Sequence, residues 1–239
     1  MFDPKRLLDQ FLGGQGGGAL PDGRQGGGGG VFNRVGDYAR QNPGLTGVAA
    51  GGLAGLILGK GFGGDIVKYG GMAVLGGLAY KAYRDYQQSQ QQQVPYAPGG
   101  HYDAADFRPA PADSPFAPAN APLQLPETLI VAMIAAAKAD GHIDAEERGR
   151  IYQRLEEGGL QPEEVAFLQH ELTEPVDMDR IVSGAVNKEA AVEIYAASVM
   201  AIRKDTPQEQ AYLDALAERL KLEPGLVQSI ENTVAALAR

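Results

Sequence analysis

Apolar residues recur along this chain in two rhythms that meet at Pro126. Beyond that point they come three and four residues apart, the spacing of one face of a helix. In "ETLIVAMIAAAKAD" that face is Leu129, Ile130, Met133, Ile134 and Ala137, and in "AEERGRIYQRLEEG" it is Ile151, Tyr152 and Leu155. Pro162 opens "EEVAFLQHELT" in the favoured first helical position, and Pro207 and Pro224 do the same for "QEQAYLDALAERLK" and "GLVQSIENTVAALA". Asp177 is placed to cap a short helix through "IVSGAV", and Asn187 to cap "KEAAVEIYAASVMAIRK". These signals predict about seven helices over residues 126–239, joined by short loops and without a strand. A stretch of that size can close a single core.

Before Pro126 the rhythm is set by glycine. Gly47, Gly51, Gly55, Gly59 and Gly63 stand four apart in the most apolar stretch, "GLTGVAAGGLAGLILGKGFGG". In water each interior glycine costs a helix about 1 kcal/mol relative to alanine. In a bilayer the backbone must satisfy itself, so helix is imposed, and glycines at this spacing leave a groove for a close partner. The expected partner is the next run, "IVKYGGMAVLGGLAYKAY", with Gly70, Gly71, Gly76 and Gly77, across a turn holding Lys60 and Asp65. Residues 44–86 are thus expected to form an apolar helical hairpin associated with a membrane. Residues 44–59 would reach about 24 Å as a helix, against a hydrocarbon core of about 30 Å, so two short spans and a hairpin that enters without crossing both fit. Arg34, Arg40, Lys81 and Arg84 flank the pair, which keeps the outer ends cytoplasmic by the positive-inside rule. The alternative is a soluble glycine-rich segment that mediates self-association.

The remaining segments are linkers and one short helix. In residues 1–12, Leu7, Leu8, Phe11 and Leu12 share one face of an amphipathic turn, which would dock on the protein or lie on a membrane surface. Asp3 and Asp9 interrupt any continuous apolar run, unlike a secretory signal. Residues 13–43 read as a glycine-rich flexible linker and 87–125 as a Gln-, Pro- and Ala-rich disordered tether.

Composition narrows the chemistry. Among the 239 residues there is no cysteine, which removes disulfides, thiolate metal sites and a cysteine nucleophile. The net charge is −9 and no basic block is long enough to follow phosphates, so nucleic acid is not an expected partner. No Ser/His/Asp set, phosphate-binding glycine loop or histidine-rich metal motif is present, so no catalytic residue is assigned and an enzyme is not expected.

Two acidic turns remain. "AAAKADGHIDAEERGRIY" and "VMAIRKDTPQEQAYL" look like a degenerate duplication, with Asp140 and Asp205 in matching places. Asp144 with Glu147, and Thr206 with Glu209, have capping-box spacing. Helix capping accounts for those acids. The functional alternative is a site for calcium or magnesium, with Asp140, Asp144 and Glu147 as hard oxygen ligands and Asp205, Glu209 and Asp214 as a second half. The spacing is not that of an EF-hand loop.

These two turns resemble the TerB-like helical domain of tellurite-resistance proteins and co-chaperone N-termini. With the glycine-rich apolar segment in front, residues 44–239 are similar to the YebE-like bacterial inner-membrane family of unknown function. The resemblance implies an all-α fold: a C-terminal TerB-like bundle of about seven helices behind an apolar helical hairpin and disordered linkers. It also implies membrane association, with the C-terminal domain cytoplasmic at a bacterial inner membrane. Cation binding at the acidic cluster carries over to Asp140, Asp144 and Glu147, and less fully to Asp205 and Glu209, since Thr206 stands where an acid would serve. The expected function is a membrane-associated interaction or scaffold protein linked to envelope or metal stress, with a protein partner that the residues do not name. A soluble acidic adaptor that self-associates is the alternative.

Overall fold

The computed structural model describes residues 2–12, 70–92, 107–139, 160–202 and 206–237. Over these residues the fold is all-α, with eight helices and no strand: α1 Pro4–Phe11, α2 Gly71–Gln92, α3 Leu125–Ala137, α4 Pro162–Thr173, α5 Met178–Ser183, α6 Lys188–Ala201, α7 Pro207–Arg219 and α8 Pro224–Leu237.

Two helices form the centre. In α3 every residue from Leu129 to Ala136 is buried, and in α6 every residue from Ala190 to Ala201. Their mutual contact is the most extensive among the described helices. Within α3, residues 129–137, "LIVAMIAAA", have no polar side to turn outward, as expected of a helix surrounded by protein. One-faced periodicity therefore understates it: Val131, Ala132, Ala135 and Ala136 are buried too, while Ala137 is only partly so. The alanines of α6 let neighbouring backbones come close, and Tyr195 fills the remaining depth, its hydroxyl donating to Glu231 Oε1 at 2.9 Å. Around this pair, α2 and α8 pack on each other and on α6, α7 packs on α6 and α3, and α4 and α5 lie against α3.

The helix starts follow the expected chemistry. Asp177 Oδ1 accepts from the Arg180 amide at 2.9 Å, and Asn187 Oδ1 from the Ala190 amide at 2.8 Å. Thr206 and Glu209 close a reciprocal capping box at α7. Each such cap contributes about 1 kcal/mol. The second helix expected within 126–239, through "AEERGRIYQRLEEG", lies outside the described residues.

The structure departs from the sequence reading before Pro126. The second apolar run was expected to pair with the glycine ladder in a bilayer. Instead α2 buries Met72, Val74, Leu75, Leu78, Ala79 and Ala82 in the same core as α6 and α8. Its glycines do permit close approach, but to other parts of this domain. A Cβ at Gly71 would sit 2.5 Å from the Leu8 carbonyl oxygen of α1, and one at Gly76 would run into the carbonyl oxygen of Phe116. The segment expected to be a tether from residue 87 continues α2 to Gln92. Farther on it forms a packed strap with Phe107 and Phe116 buried, Phe116 lying against the rings of Tyr80 and Tyr83. Among the described residues no helix is long and apolar enough to cross a membrane. The ladder glycines Gly47, Gly51, Gly55, Gly59 and Gly63 lie outside the described residues.

Candidate functional site

Of the candidate cation ligands, Glu209 and Asp214 fall within the described residues; Asp140, Asp144, Glu147 and Asp205 lie outside them. Glu209 is buried, and its Oε2 accepts from both the Thr206 amide and the Thr206 hydroxyl at 3.1 Å. The Thr206 oxygen in turn accepts from the Glu209 amide at 3.2 Å. This carboxylate is folded back onto its own helix start, the geometry of a cap. Asp214 accepts from Gln210 Nε2 at 2.6 Å, one turn away on the same helix. Among the described residues no three acidic or histidine side chains are gathered to hold a metal.

A cleft of about 560 Å³ opens where the end of α3 meets the α4–α5 connection. Its floor is aliphatic, from Val131, Ile134 and Met178, and Val176 stands 40% exposed at the edge. Two cations organise the walls. Lys138 Nζ donates to the carbonyl of Glu171 at 2.9 Å and to that of Glu174, so it caps carbonyls that α4 leaves without amide partners. Burial holds its pKa below the usual lysine value, against the pull of Glu171 and Glu174. Arg180 bridges Glu171 Oε1 at 2.7 Å and Glu127 Oε1 at 3.0 Å, tying α5 to both α4 and α3. Its hydrogen bond with Glu171 is the main cause that raises its pKa. Both cations are thus committed to holding the walls. The cleft offers a shaped, partly apolar surface, suited to recognition.

A second constructed place is the seat of α1. Leu7 and Leu8 are completely buried and Leu12 nearly so, between α2 and α3. Arg6 reaches α4 and binds Glu164 with both ends of its guanidinium: Nε to Oε1 at 3.0 Å, Nη2 to Oε1 at 2.7 Å and to Oε2 at 2.6 Å. Glu164 Oε2 also accepts from the Gln161 amide at 2.8 Å, so one buried carboxylate caps α4 and anchors α1. Phe2 lies on the ring of Phe167, centroids 4.6 Å apart. Asp9 Oδ1 meets the amide of Met72 at 3.4 Å. The leucine pattern left docking on the protein and a membrane surface both open, and the leucines dock on the protein. The pairing of Arg6 with Glu164 carried no sequence signal, because the partners are 158 residues apart.

A third feature is a buried acid. Glu193 on α6 is 1% exposed, its Oε2 has no hydrogen-bond partner, and it lies near Gly76 of α2. Burial, reinforced by Glu189 one turn earlier, pushes its pKa up to about 8.

Comparison with known proteins adds two findings. A family model described as "Protein of unknown function (DUF533)" matches residues 44–234, so the glycine ladder and the helical domain fall within one family unit. A relative from Yersinia enterocolitica, described as "Uncharacterized protein in ampR 5'region", is 32% identical over 108 residues, covering 45% of this chain and 78% of the relative. No solved structure matches.

Proposed function

The chain belongs to the DUF533 family of proteins of unknown function, and from that premise we propose that it is a membrane-associated interaction protein. In this reading residues 44–64 hold it at the bacterial inner membrane, and the helical domain meets a protein partner on the cytoplasmic side. No bond-making step is assigned to it. The carrying observation is where the two ends of the intervening chain meet. Leu12 of the α1 segment packs beside Gly71, where a Cβ would sit 3.0 Å from Leu12 Cδ1. The two ends of the stretch 13–69 therefore lie at the same place on the domain. Any bilayer crossings in between must be even in number. With the second apolar run buried in the core, the ladder is the remaining strong candidate for a span, so entry from one face without a lone crossing is the consistent arrangement.

The same burial gives the second reading its support: a ladder deprived of its expected partner would pair with the ladder of another copy, and the chain would then be a self-associating soluble adaptor. Fractionation of native cells separates the two. The membrane reading expects the full chain in the membrane pellet and retained there after carbonate washing. Recovery in the soluble fraction of gently lysed cells, as an oligomer, would replace it with the adaptor reading.

A further inference from the structure

Two adjacent glycines of α2 carry the strap of residues 107–124. A Cβ at Gly77 would stand 2.9 Å from the Arg108 carbonyl oxygen, and one at Gly76 would run into that of Phe116. The same position at Gly76 lies 3.9 Å from Glu193 Oε2 of α6. The strap therefore crosses α2 beside a carboxyl that is 1% exposed and has an oxygen without a hydrogen-bond partner. Near Phe116 the hold on α2 is apolar, with that ring buried against Tyr80 and Tyr83. The hydrogen bonds around Ser114 and Asn120 close within the strap itself, so lifting Phe116 from α2 breaks none of them.

We propose that the strap is a proton-held latch, closed beside Glu193 while that side chain is neutral and released when water is needed to carry its charge. An ionised carboxylate without a partner is costly to bury. Opening the strap removes that cost and leaves the helices folded. The surroundings are arranged accordingly. On α6 itself, Glu189 repels the charged form, while Lys188 is bonded to Glu223 of α8 and lies over the Tyr83 ring. From α2 come the phenols of Tyr80 and Tyr83, and from α7 that of Tyr212. Glu231 of α8 is bonded to Tyr195, and α3 carries no charged side chain from residue 128 to 137. The charged residues of the strap, Arg108 and Asp113, are exposed. Burial and Glu189 both act against ionisation, and push the pKa of Glu193 up to about 8 while the strap is closed. Once it is open and the carboxyl is wet, the proton leaves at lower pH, so rising pH favours the open form. This inference does not depend on membrane association.

Amide hydrogen exchange of the full chain between pH 6 and pH 8, corrected for the intrinsic pH dependence of exchange, tests the latch. The amides of Ser114, Phe116, Ala117 and Asn120 should be less protected than those of Ala196 and Ala197 in α6, which marks an opening short of global unfolding. Their protection should fall across this range by up to about fiftyfold, the limit for a carboxyl that returns to its ordinary value on opening. In Glu193→Gln, which keeps the shape and cannot ionise, that fall should vanish. Strap amides as well protected as those of α6 would show no separate opening and would overturn the latch. A separate opening without pH dependence in the unaltered chain, or with the same dependence in Glu193→Gln, would show that release does not uncover this carboxyl and would overturn it equally. The unaltered chain decides two of these outcomes alone, so the test holds even where Glu193→Gln does not fold.

Discussion

Glu193 places a carboxyl where the protein offers no partner to its Oε2, and the consequence is a defined pH dependence. Its pKa in the folded chain, about 8, lies above the ordinary value of 4.5. Below about pH 4.5 both folded and unfolded chains hold the proton. Between 4.5 and 8 the folded chain keeps it while the unfolded chain releases it, so stability falls as pH rises through this window. Above about 8 the loss is complete, on the order of 5 kcal/mol. The charged neighbour on its own helix is Glu189, which pushes in the same direction. Thermal melts of Glu193→Gln at pH 5 and pH 8.5 should therefore show a smaller drop than those of the unaltered chain. Parallel drops would show that this carboxyl does not titrate in that window. At this scale, legibility depended on chain distance. Asp177, Asn187 and the Thr206–Glu209 box could be read because a cap and the amide it serves are three residues apart. The isolation of Glu193 and the use of Glu164 by Arg6 depend on elements brought together only by folding.

Helix α2 shows what hydropathy leaves open. Glycines and aliphatic residues at close spacing suit a lipid-packed helix and also a helix buried in protein, because both environments reject polar groups and both reward close backbone approach. The signal that separates them lay in the second half of the element. Met72 to Ala82 are largely buried, whereas beyond Ala82 the exposed Arg84 and a run of glutamines alternate with the half-buried Tyr83, Tyr86 and Ser89, the pattern of a helix with one face in water. In the strap, two buried rings and the turns around Ser114 and Asn120 hold a segment whose Pro- and Ala-rich composition suggested a tether. The helical domain therefore does not begin at Pro126. Residues 126–239 alone would leave bare the faces of α6 and α8 that α2 covers, and would lose the hydrogen bond from Ser229 Oγ to the Ala82 carbonyl. A fragment of residues 126–239 should bind a hydrophobic dye and melt without cooperativity, while residues 70–239 should show a cooperative helical transition. A cooperative melt of the shorter fragment, equal to that of the longer one, would restore the boundary at Pro126.

For the whole molecule, the all-α class was legible because long periodic stretches with proline and capping signals specify helices locally. How the first 92 residues join the rest was not, because it depends on contacts between α1, α2 and elements beyond residue 124. Those contacts make α1 and the helical domain one body, so a chain held at a bilayer by residues 44–64 would keep both on one face. The most direct measurement is protease access to tags at residue 1 and residue 239 of the full chain, in intact spheroplasts and in inverted inner-membrane vesicles. Both tags are expected to be protected in spheroplasts and cut in inverted vesicles, with the protein remaining in the membrane fraction throughout. Tags cut from opposite faces would contradict it.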